Sequence, residues 1–284
     1  MNTSDANAPL TPARMLAAAA AWGLERLDAQ LLLLHVLGRA ADERAWLLAH
    51  DTDTLAEGIW PVFERLCERR MAGEPVAYLL GEKEFHGLRL KVDSRVLVPR
   101  PDTETLVEWA LHCLEGLETP SVLDLGTGSG AIALAIQHAR RDARVMAVDA
   151  SADALAVAQA NATRLGLPVR FAQADWLAGA DCGLDLIVSN PPYIANGDIH
   201  LDALRYEPQG ALVAGDDGLD DIRRIVHSAP AHLKDGGWLL LEHGYDQSEP
   251  VRRLLSQAGF RETQSRDDLA GIARCSGGIW RAVK

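Results

Sequence analysis

The sequence predicts an α/β protein, a doubly wound sheet preceded by a small helical bundle. Three observations carry that expectation. Apolar residues recur at helical spacing over the first 75 residues, between capping and glycine stop signals. A short stretch broken by Gly81 and Gly87 then reads as a β-hairpin. From about Thr103 to the end, apolar strands alternate with helices, the pattern of a parallel sheet covered on both faces. A length of 284 residues suits roughly two such domains.

Met1–Leu10 is polar and is read as loose. Thr11-Pro12 is an N-cap followed by proline at the first helical position, and Gly23 stops that helix. A second helix is expected from about Glu25 to Leu37, burying Leu27, Leu31 and Leu34, with Gly38 as its end. A longer one follows Thr54, with Leu55, Ile59, Val62, Phe63 and Leu66 on one face, and stops near Gly73-Glu74-Pro75. Residues 1–75 are thus read as a helical domain, 76–100 as a hairpin linker, and 101–284 as an α/β domain. Phe85, Leu88, Leu90, Val92, Val96 and Val98 supply the apolar positions of the linker. Seven strands are expected beyond it: Ser121–Leu125, Arg144–Asp149, Val169–Gln173, Asp185–Ser189, Gly237–Glu242, Arg261–Ser265 and Ile279–Val283. The main helices between them are Ala131–Arg140, Ala152–Leu165 and Leu219–Leu233.

Composition narrows the function. Lys and Arg number 28 against 40 Asp and Glu, a formal charge of -12. Residues 1–75 carry net -4 and the remainder net -8, so neither part is a basic nucleic-acid arm. Cys67, Cys113, Cys182 and Cys275 lie far apart, with neither disulfide nor zinc-ligand spacing. His86, His200, His227 and His243 show no metal-ligand spacing either, and no metal is expected. The alanine-rich run Met15–Trp22 is too short and wrongly flanked for export or membrane insertion. A cytoplasmic protein with reduced thiols, no membrane contact and a monomeric state is the expectation.

The strand Val122–Leu125 runs into Gly126-Thr127-Gly128-Ser129-Gly130, where a helix begins. Glycines serve where backbone turns tightly and must approach a ligand without a Cβ in the way. Asp149 closes the next strand, nineteen residues after Gly130, where a carboxylate can accept both hydroxyls of a ribose. This arrangement serves any adenosine cofactor and by itself does not separate S-adenosylmethionine from NAD. Asp175-Trp176 follows the third strand at the same sheet edge, an acceptor for an adenine amine beside an indole that can cover the ring.

The fourth strand ends in Asn190-Pro191-Pro192-Tyr193. Two prolines stiffen the turn and remove its amide hydrogens, so it offers acceptors in a fixed orientation. The Asn190 side-chain carbonyl and the Pro191 backbone carbonyl can each take one hydrogen of a planar NH2 group, and Tyr193 can stack on its face. Such a group is a poor nucleophile because its lone pair is delocalised. Prealigned acceptors stabilise the charge that develops on its nitrogen, and positioning supplies in-line attack on a neighbouring methyl. No His or Lys base is required, because the proton can leave after transfer. An NH2 clamp is of no use to hydride chemistry, which decides against NAD.

With these residues in place the chain resembles the class I S-adenosylmethionine-dependent methyltransferases, and within them the release-factor glutamine N5-methyltransferases. The segments that carry the resemblance span almost the whole chain. They are Val98–Glu104 (VPRPDTE), the DLGTGSG loop, Ser189–Tyr193, Tyr206-Glu207-Pro208 with Ala211-Leu212, Asp217-Gly218-Leu219, Glu242–Gln247 (EHGYDQ) and Asp268–Gly271. The resemblance implies that residues 101–284 form a seven-stranded, Rossmann-like methyltransferase domain and that the helical residues 1–75 recognise the substrate. It implies that Gly126, Thr127, Gly128, Ser129, Gly130, Asp149, Trp176 and Asn190 hold S-adenosylmethionine, which leaves as S-adenosylhomocysteine. It implies that Asn190, Pro191, Pro192 and Tyr193 hold the glutamine of the Gly-Gly-Gln loop of peptide chain release factors, a protein partner with no stable nucleic-acid binding. Arg100, Glu104 and Glu207 receive no role, and Arg100 and Glu104 are as readily a simple pair or helix cap. The same clamp fits an adenine or guanine amine in nucleic acid, and a non-catalytic adaptor is a third reading. The charge of -12 weighs against the nucleic-acid reading, and the intact set of motifs against the adaptor.

Overall fold

Thr11 turns an extended backbone into helix α1 (Pro12–Ala21), its hydroxyl accepting from the Arg14 amide at 3.3 Å. The structure, a computed structural model, describes residues 9–282. Most of the stretch expected to be loose (residues 1–8) and Val283 at the end of the last expected strand lie outside the described residues. Helices α2 (Arg26–Val36), α3 (Arg44–Ala49), α4 (Ile59–Met71) and α5 (Val76–Leu80) follow. Met15, Leu32, Leu33, Leu34, Leu47 and Phe63 are buried at their centre. Leu27 and Val62, expected inside, are 49% and 40% exposed, and Leu31 is only half-buried. Leucine at 31 through 34 lets α2 be read in more than one phase, and its packing on α1 and α4 selects the face of Ala29, Leu32 and Leu33. α3 and α5 are short, without a side-chain cap bond, and gave no periodic signal. Val76–Leu80 continues the helical unit, and a boundary between two compact units falls after Gly81.

The second unit opens on the antiparallel hairpin β1 (Glu82–Phe85) and β2 (Leu88–Lys91). It continues through α6 (Thr103–Cys113), β3 (Ser121–Leu125), α7 (Ala131–Ala139), β4 (Arg144–Asp149) and α8 (Ala152–Leu165). Then come β5 (Arg170–Gln173), β6 (Leu184–Ser189), α9 (Asp220–Ser228), β7 (Leu233–Glu242), α10 (Ser248–Gln257), β8 (Arg261–Asp267) and β9 (Ala273–Ile279). The seven-stranded sheet has the order β5-β4-β3-β6-β7-β9-β8. β5 through β7 are parallel, whereas β9 runs antiparallel to both β7 and β8. The doubly wound class is as expected, with a mixed edge.

The final strand is displaced from its expected place: it ends at Ile279, where the expected one began. Its sequence, ARCSGGI, lacks the β-branched run that marks a strand. The glycines are demanded by packing, since a Cβ on Gly277 would stand 2.5 Å from Leu240 Cδ2 and 2.7 Å from the Leu239 carbonyl. Elsewhere strand alternation sorts residues between two cores. Val122, Val145, Leu186, Val188 and Leu240 face α6 and α7, and Leu123, Leu125, Val148, Leu239 and Leu241 face α9 and α10.

This topology positions the site. The chain winds outward from β3 through β4 to β5, then returns to place β6 on the other side of β3. A crevice opens at such a reversal, beyond the carboxyl ends of the two central strands. The glycine loop follows β3 and the Asn-Pro-Pro-Tyr turn follows β6. Among the described residues no helix is long and apolar enough to cross a membrane.

Candidate active site

Gly126, Gly128 and Gly130 all adopt positive φ (68°, 55° and 86°), which side chains disfavour. The loop is held from beneath. Thr127 donates its amide to the Val148 carbonyl at 3.0 Å and its hydroxyl to Asp124 Oδ2 at 2.6 Å. Asp124 also accepts from the Ala133 amide (3.2 Å) in the first turn of α7. It is fully buried, its Oδ1 has no partner, and burial pushes its carboxyl up to about 7. Asn161 on α8 adds a tie that sequence reading missed. Its side chain bonds both backbone groups of Lys91 in the hairpin and donates to the Ser129 carbonyl at 3.0 Å. A lone Asn in a helix carries no local signal for such a bridge.

Asp149 stands at the end of β4. Its Oδ2 accepts from the Gly128 amide and its Oδ1 from the Ser151 amide, each at 2.9 Å. Every carboxylate oxygen has a second lone pair, so both remain able to accept from a diol. Trp176, at φ 53°, lies against the loop, and a Cβ on Gly126 would come within 3.3 Å of its ring. Its indole donates to Asp221 at 3.1 Å. Asp175, the suggested acceptor for an adenine amine, is exposed and already paired with Arg224 at 2.6 Å. α9 thus contributes two residues to this wall that no motif marked.

On the other side of the crevice, the Ser189 hydroxyl donates to the Leu125 carbonyl at 2.8 Å, pinning the end of β6 to the end of β3. The Asn190 side-chain NH2 donates to Thr103 Oγ1 at 3.2 Å, which leaves its carbonyl oxygen as an acceptor. Pro191 and Pro192 are buried. Tyr193 is held at both ends. Its hydroxyl donates to Glu242 at 3.3 Å, and its backbone carbonyl accepts from Gln247 Nε2 at 3.1 Å. Burial and the neighbouring Glu242 charge push its phenol above its ordinary range. Gly218 presses on the same carbonyl, because a Cβ there would stand 2.2 Å from the Tyr193 oxygen at a φ of +72°. We expect Gly218→Ala to displace the turn and lower turnover by about tenfold or more. Steady-state rates on a folded variant check this, and a wild-type rate would contradict it.

Arg100 pairs with Glu207, whose other oxygen accepts from the Val98 amide at 3.0 Å. The simple pairing of Arg100 with Glu104 is therefore replaced by a tie between the VPRPDTE and Tyr206-Glu207-Pro208 segments. Glu104 instead accepts from the His86 amide at 3.0 Å. Partners more than a hundred positions apart give no local pattern.

These elements surround one cavity of about 480 Å³. Gly126, Gly128, Asp149, Trp176, Asn190 and Pro192 line it. Thr127, Ser129, Gly130, Pro191 and Tyr193 do not line it; the Thr127 hydroxyl turns inward to Asp124, and Gly130 packs against Leu134 and Ala158. Pro208 and Gly210 complete the wall near Asn190. Nothing stands within 4 Å of where a Gly128 Cβ would be, so the loop leaves open space there. The size, the flat indole and the paired carboxylate oxygens fit a nucleoside. A second cavity of about 470 Å³, at the opposite ends of the strands beside Ser121 and Arg144, includes none of these groups. Among the described residues no cluster of three or more His, Cys, Asp or Glu side chains could hold a metal.

Residues 103–206 match the family model for a methyltransferase small domain, and residues 12–81 match that for the PrmC N-terminal domain. A solved methyltransferase from Pyrococcus furiosus shares the fold, with a TM-score of 0.52 at 17% identity over 76% of this chain and 98% of its own. The fold is that of the class I methyltransferases. A release factor glutamine methyltransferase from Bordetella pertussis is 55% identical over 260 residues, 90% of this chain and 95% of the relative. Another, from Burkholderia pseudomallei, is 48% identical over 288 residues, 98% of this chain and 99% of its own. The chain belongs to the release factor glutamine methyltransferase family.

Proposed function

We propose that this chain methylates the side-chain amide nitrogen (N5) of the glutamine in the Gly-Gly-Gln motif of peptide chain release factors, with S-adenosylmethionine as donor. The observation that carries this reading is the Asn190 carbonyl, fixed through Thr103 on the wall of the same cavity that holds the glycine loop and Asp149. When bound, S-adenosylmethionine supplies an electrophilic methyl and leaves as S-adenosylhomocysteine.

Gly126 and Gly128 let the loop backbone approach the cofactor with no Cβ between them, while Thr127, Ser129 and Gly130 hold the loop's shape. Asp149 accepts from the ribose hydroxyls, and Trp176 covers the adenine. Asn190 and the Pro191 carbonyl accept the two amide hydrogens, Pro192 stiffens the turn, and the Tyr193 ring packs on the amide plane. Acceptors on both hydrogens favour the charged nitrogen that forms as the methyl arrives, and the rigid turn aims it. The proton then leaves to solvent, so the scheme calls for no metal and no side-chain base. The helical unit recognises the release factor, and the monomer suffices for the reaction. The identity with the family over nearly the full chain supports the protein substrate, as does a charge of -12.

Transfer of labelled methyl from S-adenosylmethionine to purified release factor, with tRNA, rRNA and DNA as parallel acceptors, tests this. Label in the release factor alone is expected. Label in nucleic acid alone, falling steeply with salt, would transfer the assignment to a base amine.

A further inference from the structure

Glu242 is the last residue of β7, paired across the sheet with Cys275, one step beyond the point where Leu241 registers with Ser189. It therefore stands beside the start of the Asn-Pro-Pro-Tyr turn. The residue is 1% exposed, and its Oε2 has no hydrogen-bond partner. The cation that bears on it, Arg274, is itself paired with Asp102 and Asp268, each at 3.3 Å. Burial accordingly pushes the carboxyl up to about 7. A buried acid so poorly compensated costs stability, and an apolar or amide side chain of similar shape would cost less. Fold stability gives no account of it.

Its neighbours do. The Tyr193 hydroxyl donates to Glu242 Oε1, and the Thr103 hydroxyl stands beside the same carboxyl and favours its charged form. Thr103 Oγ1 accepts from the Asn190 NH2, so its own proton is free to turn toward Glu242. Two hydrogen-bonded pairs, Asn190–Thr103 and Tyr193–Glu242, thus flank the turn, with the Thr103 hydroxyl beside the Glu242 carboxyl. The first pair also fixes which end of the Asn190 amide faces the cavity: the NH2 is occupied, and the carbonyl is presented. We propose that Glu242 is a positioning residue for methyl transfer, setting Asn190 through Thr103 and the Tyr193 ring directly, so that one carboxyl group aligns both ends of the amide clamp. The inference rests on the amide-clamp reading of Asn190–Tyr193.

Kinetics of Glu242→Gln, Thr103→Val, Thr103→Ser and the double variant Glu242→Gln/Thr103→Val test it, alongside wild type and with cofactor affinity measured separately. Each of Glu242→Gln and Thr103→Val is expected to lower kcat by about tenfold to a hundredfold. KM for the release factor and cofactor affinity should stay within roughly twofold, because the contact acts on alignment rather than binding. The double variant should be no worse than the poorer single one, as for two links of one chain. Thr103→Ser, which keeps the hydroxyl, should recover most of the kcat lost in Thr103→Val. Should Glu242→Gln fail to fold, the Val and Ser variants at Thr103 still decide the matter. Wild-type kcat in Thr103→Val or Glu242→Gln, or losses that multiply in the double variant, would overturn the positioning role and leave the proposed function standing. A wild-type protein silent on release factor would overturn the proposed function and this inference with it.

Discussion

Asn190→Ala is expected to lower kcat for methyl transfer to the release factor by about 10²–10³-fold, while S-adenosylmethionine still binds. The expectation follows from where Asn190 sits. Its NH2 is tied to Thr103, its carbonyl is presented to the cavity, and the proline after it has no amide hydrogen to substitute as a misplaced donor. Removing the carbonyl takes away one of two acceptors for a nitrogen that becomes positive only during transfer, so the loss falls on kcat rather than KM. In the proposed reading, cofactor affinity rests chiefly on the loop and Asp149 on the other wall. Calorimetry and steady-state kinetics on the same preparation separate the two. Equal losses in both would mean that Asn190 mainly supports the cofactor.

Asp149→Ala has the opposite signature. Both carboxylate oxygens face backbone amides of the cradle, Gly128 and Ser151, and both are available to a diol. Hydrogen bonds to a charged group contribute about 1.5–3 kcal/mol each, so losing two weakens cofactor binding by roughly a hundredfold or more. Turnover at saturating cofactor should fall far less, because Asp149 stands across the cavity from the amide clamp. Asp149→Asn, which keeps one acceptor oxygen, should lie between. An unchanged cofactor affinity in Asp149→Ala would remove the carboxylate from the binding site.

The elements nearest the chemistry were the most legible in the sequence, for a physical reason. β3, β4 and α8 were placed to the residue because a buried parallel strand and its following helix announce themselves locally. The glycine loop and the Asn-Pro-Pro-Tyr turn were legible because their conformations demand particular residue types. β9 was not, since Gly277 answers to Leu240 and the Leu239 carbonyl on β7, and Gly278 to the Arg261 carbonyl and Phe260. The phase of α2 was likewise settled by its neighbours rather than by its own leucines. Within the site, the ties that hold the motifs together were invisible: Arg100 to Glu207, Asn161 to Ser129, Gln247 to Tyr193. Each spans tens of positions or more, and each uses a residue type that is unremarkable where it stands. The segments Tyr206-Glu207-Pro208, Asp217-Gly218-Leu219 and EHGYDQ stood out only through resemblance. The structure shows their physical work: Gly218, Glu242 and Gln247 hold Tyr193, and Glu207 holds Arg100 and the Val98 amide.

In the proposed reaction an amide nitrogen, not a base amine or a backbone group, receives the methyl. Tandem mass spectrometry of release factor incubated with the protein and S-adenosylmethionine tests it most directly, with Asn190→Ala in parallel. One added methyl is expected on the side chain of the Gly-Gly-Gln glutamine, present with wild type and lost in Asn190→Ala. A methyl on any other residue, or on that glutamine undiminished in Asn190→Ala, would contradict it.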